Sequence, residues 1–234
     1  MGNIVENLDE VRYRIEKACD SVGRKKEEVT LIAVSKTKPI SDILTAYDYS
    51  QRDFGENKVV ELIEKQAVLP DAKWHMIGHL QRNKVKKVLD KITLLHSLDS
   101  LDLAVEIQKY AEKLKLDFLD TLIEINIAGE ESKFGIDLNK LPYFVDELLK
   151  YNKIRIRGLM CVAPNVKKSD ENRALFCKMR EIMLDISHNL PHNSHIDILS
   201  MGMSNDFEAA IKEGATMVRI GSDIFGRREE YNSN

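Results

Sequence analysis

The strongest constraint in this chain is a regular alternation of short apolar runs and amphipathic helical patterns. It recurs eight times, with no Pro/Gly/Ser-rich linker between the units. Strand candidates are 31–36, 53–56, 74–78, 94–97, 122–127, 157–162, 198–201 and 218–220. Helical patterns occupy the gaps, for example 59–68, 101–114, 141–149 and 172–189. Such alternation predicts parallel strands with helices packed outside them. Eight units in 234 residues fit a (β/α)8 barrel, which takes roughly 250 residues. An open doubly wound sheet is the alternative, but no GxGxxG turn follows the first strand. Ahead of the first strand, Ile4, Leu8, Val11, Ile15, Ala18 and Val22 form one apolar stripe, capped by Asn3 with Glu6 and stopped at Gly23. The expectation is a single barrel domain over 1–234 with an extra N-terminal helix.

Composition narrows the class. With 43% hydrophobic and 31% charged residues, the chain suits a soluble fold with a sizeable core rather than a disordered one. No run nears the roughly 20 apolar residues of a membrane span, and the first ten residues lack a signal-peptide pattern. A net charge of −3 argues against a dedicated nucleic-acid binder. Cys19, Cys161 and Cys177 form neither a disulfide framework nor a metal-ligand spacing. These features place the expected protein in the cytoplasm, with no membrane or nucleic-acid partner.

In a barrel of this kind, function belongs at the C-terminal strand ends. The first strand ends in Ser35-Lys36-Thr37-Lys38, and alternation puts Lys36 on one face with Ile32 and Val34. A lysine atop an apolar wall is poorly solvated, which lowers its pKa and makes its amine nucleophilic. From that strand alone, a solvated lysine is the better reading. Two loops change the balance: Ser200-Met201-Gly202-Met203-Ser204 after the seventh strand, and Arg219-Ile220-Gly221-Ser222 at the eighth. Barrels frequently bind phosphate at those two loops. A carbonyl-seeking lysine facing a phosphate cup suggests a phosphorylated aldehyde held covalently.

The segments AVSKTKP (33–39), FGENKVVE (54–61), WHMIGHLQRNK (74–84), HSLDS (96–100), NIAGEESKFG (126–135), GLMCVAP (158–164) and LSMGMSNDFEAAIKEGATMVRIGSDIFGRR (199–228) resemble the pyridoxal phosphate homeostasis proteins. That family shares its barrel with the N-terminal domain of alanine racemases. The resemblance implies pyridoxal 5′-phosphate as cofactor, bound as an internal aldimine at Lys36. It implies that Ser200, Met201, Gly202, Ser204, Gly221 and Ser222 hold the phosphate, that Arg219 faces the pyridine nitrogen, and that Asn57 lies near the cofactor. Met160 and Met201 serve equally as ring contacts or core. Phe134 stands where small residues are more usual, which touches only the rim.

Other candidates weigh less. His75 and His79 have an i, i+4 spacing, but on a strand end they should not converge on a metal. His188, His192 and His195 crowd a loop without an acidic partner, so no metal site is expected. Lys84, Lys86 and Lys87 read as a solvated helix face. Glu124 and Asn126 should point into the barrel, where polar groups need partners. Lys38 lies one step above Lys36, placed to depress the pKa of Lys36 or to accept the aldehyde transiently, and Lys133, which the resemblance marks as a family lysine, is a candidate for a similar part.

Three functions compete: a cofactor carrier, an amino-acid racemase, and a Schiff-base aldolase. Racemisation needs a base on each face of a carbanion. In alanine racemases the second comes from an added domain, for which the sequence past the eighth strand leaves no room. An arginine opposite the ring nitrogen also disfavours carbanion chemistry. The expected function is therefore intracellular buffering or delivery of pyridoxal phosphate to apo-enzymes, by a monomer that is not an enzyme, with racemisation as the alternative.

Overall fold

The apolar stripe at the N-terminus becomes α1 (Ile4–Asp20), which buries Leu8, Val11, Ile15 and Ala18. Asn3 Oδ1 accepts the Val5 N–H at 3.1 Å, and Gly23 follows at φ 69°, the left-handed turn that ends such helices. In this computed structural model, residues 3–130, 133–166, 168–189 and 195–226 are described. The expected domain of 1–234 runs past them at both ends, and His192 lies outside them.

Eight parallel strands close a barrel in sequence order. They are β1 (Thr30–Val34), β2 (Asp53–Glu56), β3 (Lys73–Met76), β4 (Leu94–Leu98), β5 (Leu119–Ile125), β6 (Ile154–Cys161), β7 (Ile198–Ser200) and β8 (Met217–Ile220). Closure comes from β8 pairing with β1, Thr30↔Met217 through Ala33↔Ile220. Between strands lie α2 (Ile40–Asp48), α3 (Val59–Val68), α4 (Val85–Val88), α5 (Leu101–Lys113), α6 (Leu141–Leu148), α7 (Arg173–Asn189), α8 (Phe207–Lys212) and, after β8, α9 (Ser222–Phe225). The (β/α)8 barrel with an extra N-terminal helix is thus the observed architecture. No helix among the described residues is long and apolar enough to cross a membrane.

Strand alternation sorts side chains into two layers. Ala33, Phe54, Trp74, Met76, Leu95, Ile123, Ile125 and Leu159 face the helices in the main core. Leu94, Leu122 and Met160, with Ile198 and Met217, fill the barrel interior. Much of the remaining interior is polar. α1 packs on α8 and α9, where Arg14 bonds Glu208 at 2.9 Å and Asp223 at 2.8 Å. The extra helix thereby supports the two short helices that follow β7 and β8.

Three strand boundaries differ from expectation for a physical reason. β1 stops at Val34 because Lys38 N–H turns back to Ser35 O at 3.0 Å. β5 and β6 each begin three residues early, where Arg155 and Asp120 pair across the strands. Those charged residues hide the strand from a hydrophobic pattern.

Candidate functional site

The corner after β1 carries Lys36. Ser35 is fully buried, and Thr37 has φ 62°, an uncommon region for a β-branched residue. A buried ion cluster holds this corner. Lys65, on the inner stripe of α3 with Val59 and Leu62, donates to Ser35 O at 2.8 Å and to Glu56 Oε1 at 2.6 Å. Glu61 Oε2 lies 3.3 Å from Lys65 Nζ and accepts the Thr37 N–H at 2.7 Å. Ser35 Oγ donates to Glu56 Oε1 at 2.7 Å. The residue that carries the candidate nucleophile is thus fixed from both sides.

Lys36 lines a cavity of about 350 Å³ at the C-terminal strand ends, together with Val34, Lys38, Asn57, Ile77, Ser204, Asp206, Arg219, Gly221 and Ser222. Six predicted site residues therefore meet: Lys36, Asn57, Ser204, Arg219, Gly221 and Ser222. Lys38 Nζ donates to Phe225 O at 2.8 Å. Asp206 is almost fully buried and already committed: its carboxylate accepts from Met203 N–H and from Asn172 Nδ2, both at 2.7 Å. Those bonds shape the loop that presents Ser204.

Three predicted residues are not on the cavity wall. Ser200 is fully buried inside the barrel, where its Oγ accepts from Arg219 Nη1 at 2.6 Å and meets His96 Nδ1 at 3.0 Å. Alternation then sends Met201 outward into the helix-facing core. Gly202 has φ 92°, and a Cβ there would come within 2.6 Å of Ala210 Cβ. Its role is to let α8 approach the barrel. Ser200 thus contacts Arg219 inside the barrel and lies off the cavity wall.

Arg219 is buried, 4% exposed, and its Nη2 donates to Cys161 O at 2.8 Å. Burial pushes its pKa down, opposed by Cys161, Glu124 and Asp206. Glu124 points inward from β5 into a neighbouring small cavity with Asn126, Lys133 and Phe134. Burial, with Asp99 nearby, pushes its carboxyl up to about 7, partly opposed by Arg219. No described residue hydrogen-bonds that carboxyl, so the expected pairing is missing. Asn126 does find partners, in Glu130 N–H and Glu130 O.

The histidines separate as expected: His79 bonds Asp99 at 2.8 Å and stacks on Phe134, while His75 sits inside the barrel. Among the described residues no His/Cys/Asp/Glu group is placed to hold a metal. Lys65, Glu56, Glu61 and His96 escape a motif reading. The signal for Lys65 was available, as a lysine three residues from Leu62 on an otherwise apolar helix stripe.

The family model for the alanine racemase N-terminal domain matches residues 7–229, which sets the class of protein. Alanine racemase from Corynebacterium glutamicum superposes with a TM-score of 0.70 at 14% identity, over 94% of this chain and 61% of that one, a likeness of fold alone. Much nearer are the pyridoxal phosphate homeostasis proteins of Aquifex aeolicus and Escherichia coli K12. Each is 41% identical, covering 97% and 98% of this chain and 99% and 98% of the relative. PipY of Synechococcus elongatus, solved with PLP bound, matches at 35% identity and a TM-score of 0.83 over 96% of this chain and all of its own. The chain belongs to the pyridoxal phosphate homeostasis protein family.

Proposed function

We propose that this cavity binds pyridoxal 5′-phosphate (PLP), anchored covalently at Lys36, and that the protein keeps and delivers the cofactor without turning over amino acids. The observation that carries this reading is the convergence of Lys36, Asn57, Ser204, Arg219, Gly221 and Ser222 on one cavity. Two lysines and an arginine line it against one carboxylate, Asp206, whose charge is already taken up by Asn172 and the Met203 N–H. Cationic side chains thus outnumber anionic ones in this lining, which suits an anionic ligand. Ser204, Ser222 and the backbone at Gly221 are the groups to hold a phosphate, and Arg219 the group to face the ring nitrogen.

Bound PLP supplies an aldehyde that condenses reversibly with a primary amine. The chain's part is to present the Lys36 amine on a braced corner and to keep Arg219 in place. Arg219 stays a cation and gives up no proton, which leaves the ring nitrogen without an acid and works against carbanion chemistry. No tyrosine or histidine among the described residues lines the cavity as a second base. Recipients of the cofactor would be apo-forms of PLP enzymes in the cytoplasm, served by a monomer.

The test is direct. Protein loaded with PLP is expected to absorb in the visible, and borohydride should fix the cofactor on Lys36, read by peptide mapping. Lys36→Ala should lose the band and keep the fold. Fixation on Lys38 or Lys133 instead would refute the anchor. In deuterated water, alanine should exchange its α-proton slowly or not at all; rapid exchange with racemisation would make the protein an enzyme.

A second expectation concerns the phosphate. Each charge-assisted hydrogen bond contributes roughly 1.5–3 kcal/mol, so pyridoxal without phosphate should bind at least about tenfold more weakly than PLP. Calorimetric titration of both ligands decides it. Equal affinities would remove Ser204 and Ser222 from the role assigned here.

A further inference from the structure

Inside the barrel runs a continuous line of hydrogen bonds that cavity lining alone does not reveal. Asp53, at the N-terminal end of β2, lies 3.1 Å from His75 Nε2. His75 Nδ1 lies 3.0 Å from His96 Nε2. His96 Nδ1 lies 3.0 Å from Ser200 Oγ, and Ser200 Oγ accepts from Arg219 Nη1 at 2.6 Å. The two imidazoles meet edge to face, with ring centroids 5.2 Å apart. His75, His96 and Ser200 are 2%, 0% and 0% exposed, so water does not compete along the line. Only the Asp53 end approaches solvent, with 18% of its side chain exposed.

We propose that Asp53, His75, His96 and Ser200 form a one-way hydrogen-bond relay that positions Arg219 in the cavity from the opposite end of the barrel. The two ends fix its direction. A guanidinium only donates and an ionised carboxylate only accepts. Ser200 Oγ, having accepted from Arg219, passes its own proton to His96 Nδ1. His96 then carries its proton on Nε2 and gives it to His75 Nδ1, and His75 Nε2–H donates to Asp53. Both imidazoles are neutral Nε2–H tautomers, and along the line Ser200, His96 and His75 each make one donation and one acceptance. The reverse direction would set the lone pair of His75 Nε2 against the carboxylate.

The surroundings agree. His96 is held well below the usual imidazole range by burial, then by His75 and Arg219, which keeps it neutral. The charged groups around Arg219 are Glu124 from β5 and Asp206 ahead of α8, with the Cys161 thiol from β6; none of them bonds to its guanidinium. The guanidinium donates instead to Ser200 Oγ and the Cys161 carbonyl. Asp53, His75, His96 and Ser200 are positioning residues, since none touches the cavity. Chains of this kind polarise one another, so a change at one end is felt at the other.

The cofactor arm of the test rests on the PLP reading; the tautomer arm does not. In cofactor-free protein, ¹⁵N side-chain NMR should show Nε2–H on both histidines. Asp53→Lys replaces the terminal acceptor with a pure donor at the partly exposed end. It should turn both histidines into Nδ1–H tautomers, shift the Arg219 side-chain signals, and weaken PLP binding by about tenfold with a moved visible maximum. Asp53→Asn keeps an oxygen acceptor and should stay within about threefold of the unaltered protein. A doubly protonated His75, an Nδ1–H tautomer in the unaltered protein, or Asp53→Lys leaving His96 and Arg219 unmoved would overturn the relay. Unaltered protein that retains no PLP would count against the cofactor reading alone, with the NMR signals still deciding the relay.

Discussion

Replacing Lys65 with methionine is expected to cost about 3–5 kcal/mol of stability, the range for removing one partner of a buried pair. The reason lies in what stays behind. Glu56 is fully buried, and its Oε2 has no hydrogen-bond partner among the described residues. Its Oε1 depends on Lys65 Nζ and Ser35 Oγ. Burial already pushes the Glu56 carboxyl upward, with Lys65 and Ser35 acting against it. Without Lys65, that carboxylate must be protonated or buried unpaired, and Thr37 and Ser35 lose the scaffold that fixes their corner. Urea unfolding of Lys65→Met gives the cost, and the double variant with Glu56→Gln should recover much of it. A loss below about 1 kcal/mol, typical of exposed pairs, would show that the cluster is not the brace described here.

The second large effect is expected at Glu124, and it depends on pH. Its carboxyl is raised from 4.5 to about 7 by burial and by Asp99 nearby, with no hydrogen-bond partner among the described residues. A raised acid favours the folded state when protonated. That contribution is full below the unfolded value, falls as pH rises through about 7, and is gone above it. Each pKa unit corresponds to about 1.4 kcal/mol, so the ionised form destabilises the fold by about 3 kcal/mol above pH 7. Glu124→Gln removes the charge and nearly keeps the shape. The variant should match the unaltered protein near pH 4 and exceed it by up to about that amount at pH 8, measured by denaturant titration. A pH-independent difference would contradict the buried, unpartnered carboxyl.

The barrel was legible because its cause is written at the scale of the whole chain. Eight apolar runs separated by helical stripes admit few parallel arrangements. Strand ends were less legible, since they depend on partners. Ser35 and Lys36 extend the alternation of the first strand on paper, yet the backbone turns at Thr37, whose N–H Glu61 takes. Arg155 looks like a loop residue until Asp120 is seen beside it.

At the site, motif placement brought six residues to one cavity, because the C-terminal strand ends must converge in a closed barrel. Ser200, Met201 and Gly202 lie off that lining, because β7 alternates through Ser200. Ser200 faces inward to Arg219, Met201 outward to the core, and Gly202 toward α8. The histidine line was illegible for another reason. His75 and His96 are 21 residues apart, and only the register of β3 on β4 brings their rings together.

Cys161 gives the cavity one more property. Its carbonyl receives Arg219, while its thiol is fully buried and pushed up to about 12 by that burial. Near neutral pH, only about one thiol in 10⁵ would be ionised, and thiolate is the reactive form of sulfur. A thiol kept in its protonated form is slow both to attack electrophiles and to oxidise. By facing this cysteine away from solvent and toward the helices, the barrel withholds its sulfur from any reaction in the neighbouring cavity.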